Sequence, residues 1–277
     1  MVGARRVDGG VGGTGFQAGA ATQLDTATKL DNATKLVRSS GPGWWLTVYP
    51  TAGEAGGSFR YEGKRGRWLD VPEEDPERSK REAARRARGQ VRRYCAGNRL
   101  NRLGTLTYRD EGCHDPCQLR EDLGGFFRRL RREVAVERMA YLWVPEWHKK
   151  GHGLHAHFAV GRYVRRTLIE AAWPYGFVHI TLIGDLPVGS GPLAEARTAA
   201  RYLSKYVSKD PAAGSGLHRY EVAQGFQPER VVVWGRTAEK ALDQANRIFG
   251  RGPEFVWQSG DEERWDGPPA LWAAWPG

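Results

Sequence analysis

Cysteine is scarce, with three in 277 residues. So few thiols, odd in number, do not build a disulfide framework, and reduced cysteines in the cytoplasm are expected. Long apolar runs are missing too. Mean hydropathy is −0.59, and no window approaches the roughly 18 apolar residues a membrane helix needs. Arg5 and Arg6 are followed by a Gly-rich stretch instead of an apolar one, so no secretory signal is expected. The Walker P-loop pattern, Gly-x-x-x-x-Gly-Lys followed by Ser or Thr, does not occur, which argues against a built-in helicase motor. Lysine is rare: of 42 Lys plus Arg residues only nine are Lys.

What is present is positive charge. The formal net charge is +10 and the pI about 9.7. Such an excess favours a polyanionic partner, most often nucleic acid. Arginine suits bidentate phosphate contact and base stacking. The length fits one large domain or two small ones, enough for a core without a disulfide or metal staple.

Residues 1–43 are poor in large apolar groups and rich in Gly, Ala and Thr, and are expected to be a flexible low-complexity tail. Leu24 to Lys29 nearly repeats as Leu30 to Lys35, but two six-residue units make no solenoid. Residues 44–99 form an accessory segment: short strands at 44–49 and 58–61, then a helix over 73–94 dense in arginine. Residues 100–252 carry the clearest pattern. Strands are expected at 103–108, 140–147, 153–160, 177–183 and 230–235, and helices at 118–134, 164–173, 193–209 and 237–249. This order predicts an α+β sandwich, an antiparallel sheet with flanking helices on one face. Residues 253–277 are an acidic, Trp-rich tail expected to pack back onto the domain.

Two constellations bear chemistry. In His155-Ala156-His157, alternate residues of a strand share a face, so both imidazoles point the same way. Glu146 sits on the preceding strand of the hairpin, almost opposite His155 if the turn centres near Lys150. A one-residue slip would turn it to the other face, and His148 and His152 are rival third ligands. Two imidazoles and a carboxylate suit Mg²⁺, Mn²⁺ or Zn²⁺. The second constellation is a tandem Tyr-x-x-Lys, Tyr202 with Lys205 and Tyr206 with Lys209. Residues four apart share a helix face, so the two phenols are presented together. Each Lys, or a nearby metal, would favour the phenolate as a nucleophile. A structural Zn²⁺ on Cys95, Cys113, His114 and Cys117 is a weaker possibility, since the spacing is not that of a usual knuckle.

Taken in order, three segments resemble motifs of the HUH endonuclease superfamily and, within it, of rolling-circle replication initiators from actinobacterial plasmids and related elements. Leu103 to Tyr108 resembles the Thr-Leu-Thr strand, Gly153 to Phe158 the His-hydrophobic-His metal motif, and Tyr202 to Lys209 the tyrosine motif. The tyrosines follow the histidines, as in replication initiators and transposases, and their pairing is similar to the two-tyrosine initiators. The resemblance implies metal-dependent, strand-specific nicking and joining at an origin. His155, His157 and Glu146 would hold Mg²⁺ or Mn²⁺. Tyr206 or Tyr202 would form a 5′-phosphotyrosine intermediate, and Lys205 and Lys209 would stabilise charge. The implied partners are single-stranded or hairpin DNA and a host helicase and polymerase. Arg85, Arg86, Arg92 and Arg93 on the first helix, and Arg128, Arg129, Arg131 and Arg132 on the second, are candidate DNA contacts. The rival readings are an HUH transposase, a non-catalytic basic DNA-binding regulator and a zinc-organised structural module.

Overall fold

The computed structural model describes residues 41–61, 76–149, 151–181, 190–207, 217–263, 265 and 267–276. All but the last three residues of the expected 1–43 tail lie outside them, as does Lys209. The fold is α+β, with two antiparallel five-stranded sheets.

Strands β1 Gly43–Tyr49, β2 Glu54–Arg60, β8 Val231–Gly235, β9 Phe255–Gln258 and β10 Ala270–Ala274 form the first sheet, in the order β8-β1-β2-β10-β9. Strands β3 Arg102–Tyr108, β4 Tyr141–Trp147, β5 Leu154–Val160, β6 Gly176–Thr181 and β7 Glu221–Val222 form the second, in the order β6-β3-β5-β4-β7. Five α-helices accompany them: α1 Pro76–Gly97, α2 Pro116–Glu133, α3 Arg166–Ala172, α4 Pro192–Val207 and α5 Ala238–Phe249. Sheet membership does not follow the sequence in blocks. β8 and α5, within 100–252, join the first sheet and its core, and the 253–277 stretch supplies two of its strands. No helix among the described residues is long and apolar enough to cross a membrane.

Side-chain alternation divides the second sheet into two faces. Leu106, Trp143, Ala156, Phe158 and Val160 meet Leu119, Leu123, Phe126 and Phe127 of α2 and Ile169 of α3. The opposite face carries Leu103, Leu142, Val144 and Ala159, which meet Ala87, Val91 and Tyr94 of α1 and Ala199, Ala200 and Leu203 of α4. The helices therefore cover both faces, which corrects the expectation of one. Both faces are apolar because every residue of β5 is buried.

Local signals account for the helix ends. Asp115 caps α2 by accepting the Cys117 N–H at 2.8 Å, and Pro116 occupies the first turn. Thr237 caps α5 through the Lys240 N–H at 3.2 Å, and Gly250 closes it at φ 70°. In α4 the buried stripe is Leu193, Ala196, Ala199, Ala200, Leu203 and Val207, whose small members let α1 approach closely.

Candidate active site

Three strands and one helix assemble the site on the α1/α4 side of the second sheet. The hairpin register pairs Glu146 with His155 and Val144 with His157, and β3 places Thr105 beside His157. This register settles which side Glu146 takes. It shares the face of Leu142 and Val144, and therefore of both imidazoles. Its Oε2 lies 3.0 Å from Nε2 of His155 and 3.0 Å from Nε2 of His157. Both histidines are buried, and the Glu146 side chain is 12% exposed.

A carboxylate among buried imidazoles is a costly arrangement unless a charge compensates it. The donor set fits a divalent cation: one ligand atom from each residue, all within 4.8 Å of one another. No other such group occurs among the described residues. On the far side of its ring, Nδ1 of His157 is 2.9 Å from Thr105 Oγ1. A cation on Nε2 needs the proton on Nδ1, and the Thr105 hydroxyl is placed to accept it. The sequence marks Thr105 only as a strand residue. Its role depends on the β3–β5 register, which no local pattern contains.

The tyrosines come from α4. The Tyr206 ring stacks on the His157 ring at 3.7 Å and 23°. Tyr206 Oη donates to Tyr202 Oη at 3.0 Å, so the i, i+4 spacing does join the two phenols. Burial pushes the Tyr206 phenol well above its ordinary range. Its hydrogen bond to Tyr202, and then the negative charge available on Tyr202 and Glu146, push the same way. Lys205 is exposed, with Nζ 5.9 Å from the Tyr202 ring centroid.

The rival ligands stand elsewhere. His152 Nε2 lies 3.0 Å from the Tyr108 carbonyl, and His148 is exposed with its ring 5.7 Å from that of His155. The cysteines do not gather. Cys95 is buried in the α1/α4 core, Cys113 in the α2/α3 core, and Cys117 is exposed. Among the described residues they form no metal-binding group, so the zinc alternative falls.

The arginines expected to meet DNA are spread widely. Arg92 reaches Glu54 at 2.7 Å and lies over the Trp272 ring, while Arg93 is 3.6 Å from Glu54 and over Tyr49. These two tie α1 to the first sheet. Arg85 lies over Trp265, and Arg86 pairs with Glu82 at 3.5 Å. Arg129 donates to the Ala172 carbonyl at 2.8 Å, which fixes α2 to α3. Arg128, Arg131 and Arg132 line a cleft of about 460 Å³ with Val136 and Glu137. All four are on α2, across the sheet from Glu146, His155 and His157.

No curated protein and no solved structure matches the chain. Residues 101–211 match a family model of replication-associated proteins, that of ORF2 and the gene II protein. That segment holds β3 through α4, and so every residue of the Glu-His-His cluster and both tyrosines. The match covers less than half of the chain and supports a replication initiator that binds DNA at an origin.

Proposed function

We propose that the chain is a rolling-circle replication initiator of the HUH endonuclease type, nicking and rejoining one DNA strand at an origin. One observation carries this reading: the phenol pair of α4 lies against the Glu-His-His cluster, with Tyr206 stacked on His157 at 3.7 Å. A nucleophile touching a cation-binding cluster is what transfer of a phosphoryl group to a side chain requires. When bound by Glu146, His155 and His157, Mg²⁺ or Mn²⁺ supplies Lewis-acid polarisation of the scissile phosphate.

The chain's own residues do the rest. Tyr206 Oη forms the bond to phosphorus and the bond from phosphorus to O3′ breaks. The phenol proton leaves to solvent, and O3′ takes one up. The products are a 5′-phosphotyrosine link and a 3′-OH that primes synthesis by a host polymerase behind a host helicase. Tyr202, hydrogen-bonded to Tyr206, supplies the second attack that releases the displaced strand. Lys205 stabilises negative charge on the Tyr202 phenol, and Lys209 repeats that role for Tyr206. The substrate is single-stranded or hairpin DNA in the cytoplasm.

The test is a denaturing gel with single-stranded DNA from the region flanking the coding sequence, and with pooled random oligonucleotides, in Mn²⁺. Wild-type protein is expected to give a protease-sensitive protein–DNA adduct that Tyr206→Phe loses. An adduct that persists in Tyr206→Phe and vanishes in Tyr202→Phe would exchange the two roles. A Tyr202→Phe/Tyr206→Phe double variant that still nicks would sink the mechanism. Salt-sensitive binding without nick or adduct would leave a DNA-binding regulator.

A further inference from the structure

A cavity of about 500 Å³ lies where the two sheets meet, clear of the Glu-His-His cluster. Its size is that of a small-ligand site. Three distant segments build it: Tyr49 at the end of β1, Gln90 and Arg93 on α1, and Tyr220, Gln227 and Arg230 around β7 and the connection to β8. Among the described residues no carboxylate lines it.

The lining has three kinds of chemistry. Tyr49 and Tyr220 offer aromatic faces on which a planar ring can stack. Gln90 and Gln227 carry carboxamides, which donate and accept together and match the edge of a nucleobase. Arg93 and Arg230 offer guanidinium forks suited to phosphate. A planar heteroaromatic ring with hydrogen-bonding edges and an attached phosphate uses all three, whereas a simple anion would leave the phenol faces unused.

The walls are held in place before any ligand arrives. Tyr220 Oη donates to Gln90 Oε1 at 2.6 Å, and Tyr94 Oη donates to the Ala223 carbonyl at 3.1 Å. Asn98 Nδ2 donates to the Phe226 carbonyl at 2.9 Å, so the 220–226 segment is fastened to α1 at three points. Arg93 is steadied by Glu54 at 3.6 Å and by the Tyr49 ring at 4.8 Å. Such preorganisation lowers the ordering cost of binding.

Position links the cavity to the cluster. Val222, part of its lining, pairs with Leu142 of β4. Leu142, Val144 and Glu146 share one face of that strand, and four residues of strand span about 13 Å. The cavity and the cluster thus lie along the same face of the same sheet.

We propose that this cavity binds one nucleoside phosphate unit, its base between Tyr49 and Tyr220 and its phosphate on Arg93 and Arg230. The unit belongs to the strand held at the Glu-His-His cluster, an assignment that rests on the function proposed above. The stacking and polar chemistry itself does not depend on cleavage.

The experiment measures binding of the full chain to a labelled single-stranded oligonucleotide by fluorescence anisotropy, with a chelator present so that cleavage does not enter. Deoxynucleoside monophosphates serve as competitors and, separately, as ligands in calorimetry. Gln227→Ala and Arg230→Ala are at exposed positions, and unchanged thermal melting will show that they fold. Each is expected to weaken oligonucleotide binding about tenfold. Gln227→Ala alters no charge, so its loss will leave the salt slope as it was, unlike loss of a phosphate contact. Weakened oligonucleotide binding without monophosphate binding supports a nucleotide of the strand as the occupant. Monophosphate binding lost in both variants, with oligonucleotide affinity intact, supports a free nucleotide in the same cavity. Wild-type affinity of both variants for both probes overturns the proposal. If no adduct forms in the nicking assay while Gln227→Ala still weakens DNA binding, the cleavage reading fails and the cavity stands.

Discussion

Thr105 shows how one hydroxyl can govern a cation site without touching the cation. It holds Nδ1 of His157 at 2.9 Å, which orients the ring so that Nε2 faces Glu146. Thr105→Val keeps the shape and removes the acceptor. It is expected to cost about 10–100-fold in Mn²⁺ affinity, the usual loss when such a supporting partner goes. Titration calorimetry will measure it, and unchanged affinity would remove Thr105 from the site. The ligands themselves were legible because two imidazoles spaced i, i+2 on a strand must share a face. The side taken by Glu146 was not legible, because the turn that sets the register includes no residue that imposes it. A second residue-scale prediction concerns the thiols. Cys95 lies fully buried, and burial pushes its thiol far above the ordinary range. Cys113 is buried as well and Cys117 exposed. An alkylating reagent at neutral pH is expected to label Cys117 alone in the native protein and all three cysteines in denaturant. Fast native labelling of Cys95 would mean that the α1/α4 core opens.

At the scale of elements, the helix that carries the tyrosines is fastened to the first sheet as well as packed on the second. Arg197 of α4 donates to the carbonyls of Gly53 and Trp275, at 2.8 Å each. Trp275 is fully buried, stacks on Phe249 at 4.2 Å and donates through Nε1 to the Arg251 carbonyl at 2.9 Å. Truncating it removes a large buried ring and leaves that carbonyl without its donor. Trp275→Ala is expected to destabilise the protein by roughly 3–5 kcal/mol, read from chemical denaturation; a change below about 1 kcal/mol would mean that this corner is loosely packed. These strands explain why the 253–277 stretch looked like a tail. β10 sits between β2 and β9, so pairing on both sides makes it a strand, while its own residues show little alternation. The start of β2 was hidden for a related reason. Gly56 and Gly57 weaken any strand pattern, yet Gly57 is needed there, because a Cβ would fall on the Trp45 carbonyl of β1. The helices of the central segment were easier, since Leu119, Leu123, Phe126 and Leu130 repeat at helical spacing.

At the scale of the whole molecule, the question is whether two sheets behave as one cooperative unit, and cation binding can answer it. The ligand residues lie only on β4 and β5 of the second sheet. A cation that binds the folded state alone stabilises it by RT ln(1 + [L]/Kd), about 2.7 kcal/mol at a hundredfold excess over Kd. For a chain of this length that corresponds to a rise in Tm of roughly 5–10 °C. Several contacts pass between the sheets. Arg92 of α1 reaches Glu54 of β2, Arg197 of α4 reaches Gly53 and Trp275, and α1 and α4 pack on each other. Unfolding either sheet would strand Glu54, a carboxylate only 3% exposed, or strip α4 of its anchor. A single thermal transition is therefore expected, and Mn²⁺ should move all of it upward. A chelator should reverse the shift, and Glu146→Gln should abolish it, since the amide keeps the shape but not the charge. Two transitions, with only one responding to Mn²⁺, would mean that the links between the sheets are too weak to couple them. In that event the responding transition belongs to the β3–β7 sheet, and the tyrosine helix gains nothing in rigidity from its ties to the other.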